Sequence, residues 1–232
     1  MTSSVYALVI TAHPDDAEFA VAGSVARWTR QGKEVVYVIC TNGDKGTSDR
    51  TLSPEDLAVI RRKEQQEAAD VLGVREVVWL GFPDQGLEDS SELRKMVVRE
   101  IRKFKPEVVV TSDPYRKYIW HRDHRIIGQV VVDAVFPYAR DHLSYPDLLV
   151  EEGLEPHKVE ELLFWAAEEL NHRLDITETF DVKMAALRCH KSQVGHRSQK
   201  ELEDIMKKRY QDLAKGEPFE LAEAFHRIKI PY

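Results

Sequence analysis

The sequence predicts an α/β fold, a mostly parallel sheet with helices on both faces. Short β-branched runs alternate with longer segments that carry apolar residues at three and four spacing, the pattern of strands connected through helices. The strand candidates are also near-continuously hydrophobic, as strands covered on both sides are. The length of 232 residues allows one large domain with a sizeable core.

The first strand candidate is Val5 to Thr11, followed by a helical segment from Asp16 to Gln31, with Gly32 placed as its stop signal. The second is Val35 to Thr41; a loop, Gly43 to Pro54, then leads into a helix from Pro54 to Leu72 that ends at Gly73. Glu76 to Leu80 is the third strand candidate, Ser90 to Phe104 the next helix, Val108 to Ser112 the fourth strand and Arg125 to Phe136 the helix after it. Beyond Pro137 the pattern loosens into a proline-spotted loop that runs to His157. A strand from Glu161 to Ala166 and helical segments from Asp181 to Gln193 and Gln199 to Lys215 complete the chain. No linker-like composition marks a boundary, so one domain is expected over 1–232, with a core over about 1–136 and a C-terminal strand and helix extension over about 137–232.

Composition narrows the function classes. Lys plus Arg number 33 against 40 Asp plus Glu, a formal charge of −7, which disfavours a nucleic-acid partner because phosphate recognition needs a basic face. Two cysteines, Cys40 and Cys189, make neither a disulfide framework nor a thiolate metal site, and a reducing cytoplasm is the expected location. The N-terminal MTSSVYALVI has no basic region or cleavage signal, and no apolar run approaches the roughly 20 residues of a membrane span, so a soluble protein is expected.

The chemistry concentrates at two places. "AHPDD", Ala12 to Asp16, sits where the first strand ends, and ligands of open parallel sheets bind outside the carboxyl ends of strands. A dinucleotide fold would place G-x-G-x-x-G there; His13, Asp15 and Asp16 would instead repel a phosphate and attract a divalent cation. His13 and Asp16, three apart across the turn, can converge on one point and leave Asp15 free. Asp15 with Glu18 also reads as a capping box, which leaves His13 unexplained. "HRDH", His121 to His124, follows the fourth strand and lies at the same sheet edge. One histidine there can ligate, the other can reach substrate, and Asp123 can orient an imidazole or cap the helix. His13, Asp16 and His124 together make a His, Asp, His set with an open position, the mark of a catalytic rather than structural zinc. "HRD" also opens the protein-kinase catalytic loop, but the required asparagine five residues after the aspartate is Gly128 here.

These two motifs resemble the signatures of the PIG-L/LmbE-like de-N-acetylases. "TNGDKGT" after the second strand, "RRKEQQEAADVLGV", "LGFPDQGL" and "ALRCHKSQ" resemble further family positions in family order, so the likeness runs from about Val5 to Gln193. It implies a Rossmann-like three-layer sandwich, one Zn2+ per subunit with Fe2+ as the alternative metal, and hydrolysis of the acetyl amide of an N-acetylglucosamine unit. It further implies His13, Asp16 and His124 as metal ligands, Asp15 as catalytic base, His121 as the oxyanion-stabilising histidine and Asp123 as the carboxylate beside it. Arg61, with Arg62 as the alternative match, and Asp84 resemble substrate-binding positions, and Arg140 in "YARDH" is a candidate cleft residue. His190 reads as a helix-end or packing residue, because the family's ligand set is complete without it. A small N-acetylated sugar is the expected partner and a homo-oligomer the expected assembly. Hydrolysis of another amide or acyl bond, or sugar binding without turnover, are the alternatives.

Overall fold

A computed structural model describes residues 4–118 and 121–231. Its centre is strand β1 (Ala7–Thr11), every residue of which is buried. Parallel to it on one side run β2 (Val35–Thr41) and then β3 (Glu76–Phe82), and on the other side β4 (Val108–Ser112) and then β5 (Glu161–Trp165). β7 (Ala222–Lys229) pairs antiparallel with β5, and β6 (His172–Asp175) closes that edge, giving a seven-stranded sheet of order β3-β2-β1-β4-β5-β7-β6. The strand order reverses between β1 and β4, which opens a crevice at their carboxyl ends.

Alternation along the strands divides the core in two. Leu8, Ile10, Val36, Val38 and Val109 face α4 (Ser91–Phe104) and α5 (Arg122–Asp133), packing on Val97, Ile101, Ile127 and Val131. Ala7, Val9, Tyr37, Ile39 and Val110 face α1 (Asp16–Ala20), α2 (Ala22–Arg30) and α3 (Pro54–Leu72) through Ala17, Val25, Ala68 and Leu72. Strands that bury both faces must be apolar at every position, which is why the first, second and fourth read as unbroken hydrophobic runs. No helix of the described residues is long and apolar enough to cross a membrane.

The structure departs from the expected elements where charged side chains intervene. The helix expected from Asp16 to Gln31 is broken at Val21, whose φ of −137° is not helical. The break creates a fresh helix N-terminus, and the Glu223 carboxylate accepts its Gly23 and Ser24 N–H groups at 2.9 and 2.8 Å. The helix expected from Asp181 to Gln193 likewise divides into α7 (Phe180–Leu187) and α8 (Lys191–Val194), with the Glu64 carboxylate accepting the Ser192 N–H and hydroxyl. The helix after the fourth strand begins earlier than expected, at Arg122, and gives way at Ala134 to an irregular turn in which Phe136, preceding Pro137, is extended.

The C-terminal extension is bound into this frame. α7, α8 and α9 (Gln199–Leu213) enclose a third apolar cluster of Phe180, Met184, Leu187, Leu202, Met206 and Tyr210. Lys183, fully buried, donates to the Glu18 carbonyl at 2.8 Å and to Glu223 at 2.7 Å. The proline-spotted segment after Pro137, which carries the short helix α6 (Pro146–Val150), is held by Arg102, which donates to the carbonyls of Tyr138, Ala139, Asp141 and Ser144.

Gly128 lies where α5 crosses the end of β4. A Cβ there would sit 2.5 Å from the Ser112 carbonyl oxygen and 3.1 Å from Pro114. Gly128→Ala is therefore expected to destabilise the protein by about 1–3 kcal/mol through overpacking, read as a lower urea midpoint at unchanged m. An unchanged midpoint would show that α5 does not press on the strand at this point.

Candidate active site

The crevice between β1 and β4 is filled by ionisable side chains. Two residues past β1, His13 is buried, and its ring nitrogens face different groups. Nδ1 lies 3.2 Å from His124 Nε2 and 3.5 Å from Asp16 Oδ2, and His124 Nε2 lies 3.0 Å from Asp16 Oδ1. Ligand atoms about 2.0–2.1 Å from a tetrahedral zinc stand about 3.3 Å from one another, close to the spacing of these side chains, with Asp16 turning a different oxygen to each histidine. Two imidazole nitrogens facing each other at this distance need a proton or a cation between them. The donor set thus fits a divalent cation.

Nε2 of His13 faces the opposite way, 3.1 Å from Asp84 Oδ1 and 3.2 Å from Asp123 Oδ2. That is the carboxylate–histidine pairing that fixes the tautomer and orientation of a metal-binding imidazole. Asp123, fully buried, is itself fixed by the N–H groups of Gln85 at 2.7 Å and Leu87 at 3.3 Å. The cap of α5 is not Asp123 but His121, whose Nδ1 accepts the Asp123 N–H at 3.3 Å. Accepting at Nδ1 leaves the neutral His121 ring its proton on Nε2, a donor facing the site, and its side chain is 38% exposed, the most open of the cluster.

Charge governs the protonation of the group. Burial opposes the charged form of His13, but Asp123, Asp16 and Asp84 more than reverse it and push the imidazole up to about 12. Burial likewise works against ionised Asp16, yet His124 and His13 hold it well below the usual carboxylate range. Asp15 behaves differently: burial pushes it up to about 7, against the pull of Arg61 and with the push of Asp16. His121 is lowered by burial and by the neighbouring His13 and His124.

Asp15 adopts a left-handed backbone, φ 92° and ψ −25°, unusual for a residue with a side chain and characteristic of functional turns. Its carboxylate makes no capping hydrogen bond to α1. Instead Oδ2 lies 3.4 Å from Arg61, and Arg61 also donates to the Pro14 carbonyl at 2.6 Å and to Gly43 and Lys45. Gly43 has φ +65°, and a Cβ on it would meet Pro14 and Arg61 at 2.9–3.0 Å, so the loop after β2 passes directly against the guanidinium. Glu18, the expected capping-box partner of Asp15, is wholly buried and turned toward Gln65 and His190.

The sequence-predicted residues thus separate into a cluster and an outlier. His13, Asp15, Asp16, Arg61, Asp84, His121, Asp123 and His124 stand together; Arg61 is 3% exposed and Asp84 5%, and their partners are site residues. Arg62 points outward over the Trp79 ring. Arg140 stands apart: it lies over Phe136, donates to the Pro231 carbonyl, and lines an apolar cavity of about 560 Å³ with Tyr115, Leu162, Phe164 and Ile228. Gln65, Asp44 and Trp165 were not foreseen. Gln65 donates to Glu18, Asp44 accepts the Asp84 N–H at 2.9 Å, and Trp165 meets the His124 ring edge-on. Only Gln65 had a sequence signal, its place one turn after Arg61 on the same face of α3.

The family model described as GlcNAc-PI de-N-acetylase, PIG-L, matches residues 8–135, the span that contains every member of the cluster. The chain belongs to the PIG-L family. Over 186 residues it is 36% identical to a diacetylchitobiose deacetylase of Thermococcus kodakarensis, covering 80% of this chain and 69% of that protein. It is 32% identical to a mycothiol S-conjugate amidase of Streptomyces coelicolor, covering 68% of this chain and 61% of that one. Among solved structures, the N,N'-diacetylchitobiose deacetylase of Pyrococcus horikoshii superposes with a TM-score of 0.91 at 30% identity, over 97% of this chain and 84% of that chain. The PIG-L chain therefore joins a family of enzymes that hydrolyse amide bonds.

His13→Ala and His124→Ala are each expected to lose bound metal, and Asp123→Asn to keep it with affinity about 10- to 100-fold weaker. Metal analysis of the purified variants and a chelator titration read these outcomes. Stoichiometric metal in both histidine variants would remove them from the ligand set.

Proposed function

We propose that this protein is a divalent-metal-dependent hydrolase, zinc being the metal that best suits its donors, that removes the N-acetyl group from an N-acetylglucosamine-containing small glycoside. One juxtaposition carries this reading: beside the His13, Asp16 and His124 triangle stand a partly buried carboxylate, Asp15, and a more exposed imidazole, His121. Asp15 would serve as base and His121 as oxyanion donor beside a cation held there.

A cation held by the triangle would act as a Lewis acid on the amide carbonyl and bring the pKa of water down to about 7. Asp15 accepts the proton of the attacking water; burial keeps its carboxyl near neutrality, where a general base works best. Arg61 keeps that carboxylate aimed by holding both it and the Pro14 carbonyl. The Nε2 proton of His121 is donated to the oxygen on which charge develops, a contact worth about 100- to 1,000-fold in rate in comparable sites. The amine leaves only when protonated, and the proton gained by Asp15 is available for that transfer. Asp84 and Asp123 orient His13, and the burial of Arg61 and Asp84 favours a positioning role over contact with sugar hydroxyls. The acetamido sugar named in the chitobiose deacetylase relatives supports the substrate class, and the amidase relative supports a second reading, hydrolysis of another amide on the same centre.

Asp15→Asn is expected to retain metal and lose at least about 100-fold in kcat, and His121→Ala to lose about 100- to 1,000-fold. Acetate and free-amine release is measured on N-acetylglucosamine, diacetylchitobiose and N-acetylglucosaminyl conjugates beside non-sugar acetamides. Full activity of Asp15→Asn would sink the assigned base; turnover of non-sugar amides alone would move the protein to the second reading.

A further inference from the structure

His190 is wholly buried in the turn between α7 and α8, and no group of metal-ligating side chains among the described residues includes it. Its Nε2 meets Glu18 Oε2 at 3.1 Å; the other oxygen of Glu18 accepts from Gln65 Nε2 at 3.0 Å; and Gln65 Oε1 accepts the backbone N–H of Asp15 at 3.0 Å. All three side chains are at 0% exposure. A histidine, a carboxylate and an amide have thus been taken wholly out of water to reach one backbone N–H, the one belonging to the left-handed residue.

The direction of each bond follows from the one before it. Ionised Glu18 only accepts, so the donating NH2 of the Gln65 amide must face it. The Gln65 carbonyl then necessarily faces Asp15, where it holds the N–H that the left-handed backbone turns toward α3. His190 fixes Glu18 in the same way: burial disfavours the charged imidazole, but Glu18 more than restores it. His190 is in turn anchored by the start of α8, where its carbonyl accepts from Gln193 and Val194 at 2.9 Å. Packing alone would be served by apolar side chains of the same volume, because a buried polar network stabilises little beyond what it costs to desolvate.

We propose that His190, Glu18 and Gln65 form a positioning relay that holds Asp15 in its left-handed conformation, so that a residue of the C-terminal extension controls the aim of the catalytic base. The proposal rests on the reading of Asp15 as that base. His190 touches neither substrate nor the reacting atoms and acts through Glu18 and Gln65. Arg61, one turn before Gln65 on α3, restrains the same turn from its carboxylate side, so Asp15 is held at both its N–H and its side chain.

The test combines single variants with a double-mutant cycle. His190→Leu is expected to keep one metal per chain and an unchanged KM within about twofold while kcat falls about 10- to 100-fold, the range for loss of an orienting partner. His190→Gln, whose amide N–H can reach Glu18, is expected to restore most of kcat. In the Asp15→Asn background the His190→Leu change is expected to add no further loss. Should His190→Leu not fold, Gln65→Met is read in the same cycle. A His190→Leu protein with lowered thermal stability but full kcat would overturn the relay. So would an equal loss of kcat with and without Asp15, which would mean that His190 supports the fold rather than the base. Full activity of Asp15→Asn itself would overturn the reading of the base, an outcome visible before any relay variant is made.

Discussion

The imidazole of His13 is held between two sets of groups, Asp16 and His124 at Nδ1 and Asp84 and Asp123 at Nε2, at the tip of the central strand of the sheet. Carboxylates gathered in a buried place repel one another and lose hydration, and the lost hydration alone costs on the order of several kcal/mol per ion unless charge of opposite sign is present. Arg61 supplies part of that charge on the Asp15 and Asp84 side. A divalent cation at the other ring nitrogen would supply the rest. The surrounding architecture answers this electrostatic demand: β1 is covered on both faces and paired on both edges, so its end is rigid enough to hold like charges together.

How much of this is legible in sequence depends on how far a residue's partners lie along the chain. The parallel strands and the family membership could be read because unbroken apolar runs and the contiguous AHPDD and HRDH motifs are local signals. β6 and β7 were not read: HRLD is short, polar and at a sheet edge, and AEAFHRIK alternates only weakly because its outer half is partly exposed. Their pairing is visible only once β5 offers its free edge. In the site, the approach of His13 to His124 spans 111 residues and was inferred from motif context, whereas the burial of Arg61 and Asp84 was not, since an arginine on a helix and an aspartate in a turn ordinarily face water. Glu18 shows the opposite failure. Three residues after Asp15 it satisfied a helix-cap pattern, but the donor on which its position depends, His190, lies 172 residues away.

The C-terminal extension consequently belongs to the site as much as to the sheet. Glu223 of β7 supplies the carboxylate that starts α2, Lys183 of α7 neutralises that carboxylate and takes the Glu18 carbonyl, and Tyr210 of α9 donates to the Phe19 carbonyl at 2.5 Å. Each contact falls on α1 or on the first turn of α2 that follows it. α1 is a single short turn and could not hold Asp15 and Asp16 by its own hydrogen bonds, because helices of that length are unstable alone. The division of the expected first helix into two is therefore part of the site's construction: it lets the segment bearing both aspartates be fixed from the far end of the chain.

This construction also separates chemistry from selectivity. His13, Asp16, Asp84 and Asp123 are all less than a tenth exposed and have each other as partners, so they have little surface left for a substrate. His121, with 38% of its side chain exposed, is the member of the cluster that a ligand meets first. Around its rim lie the loop after β2, which presses on Arg61, and the β5 end, where Trp165 meets the His124 ring. A centre closed in this way tolerates wide change at the rim without disturbing the geometry of base and ligands. The relatives of this chain include both deacetylases and an amidase, as a fold whose function is set by its site allows.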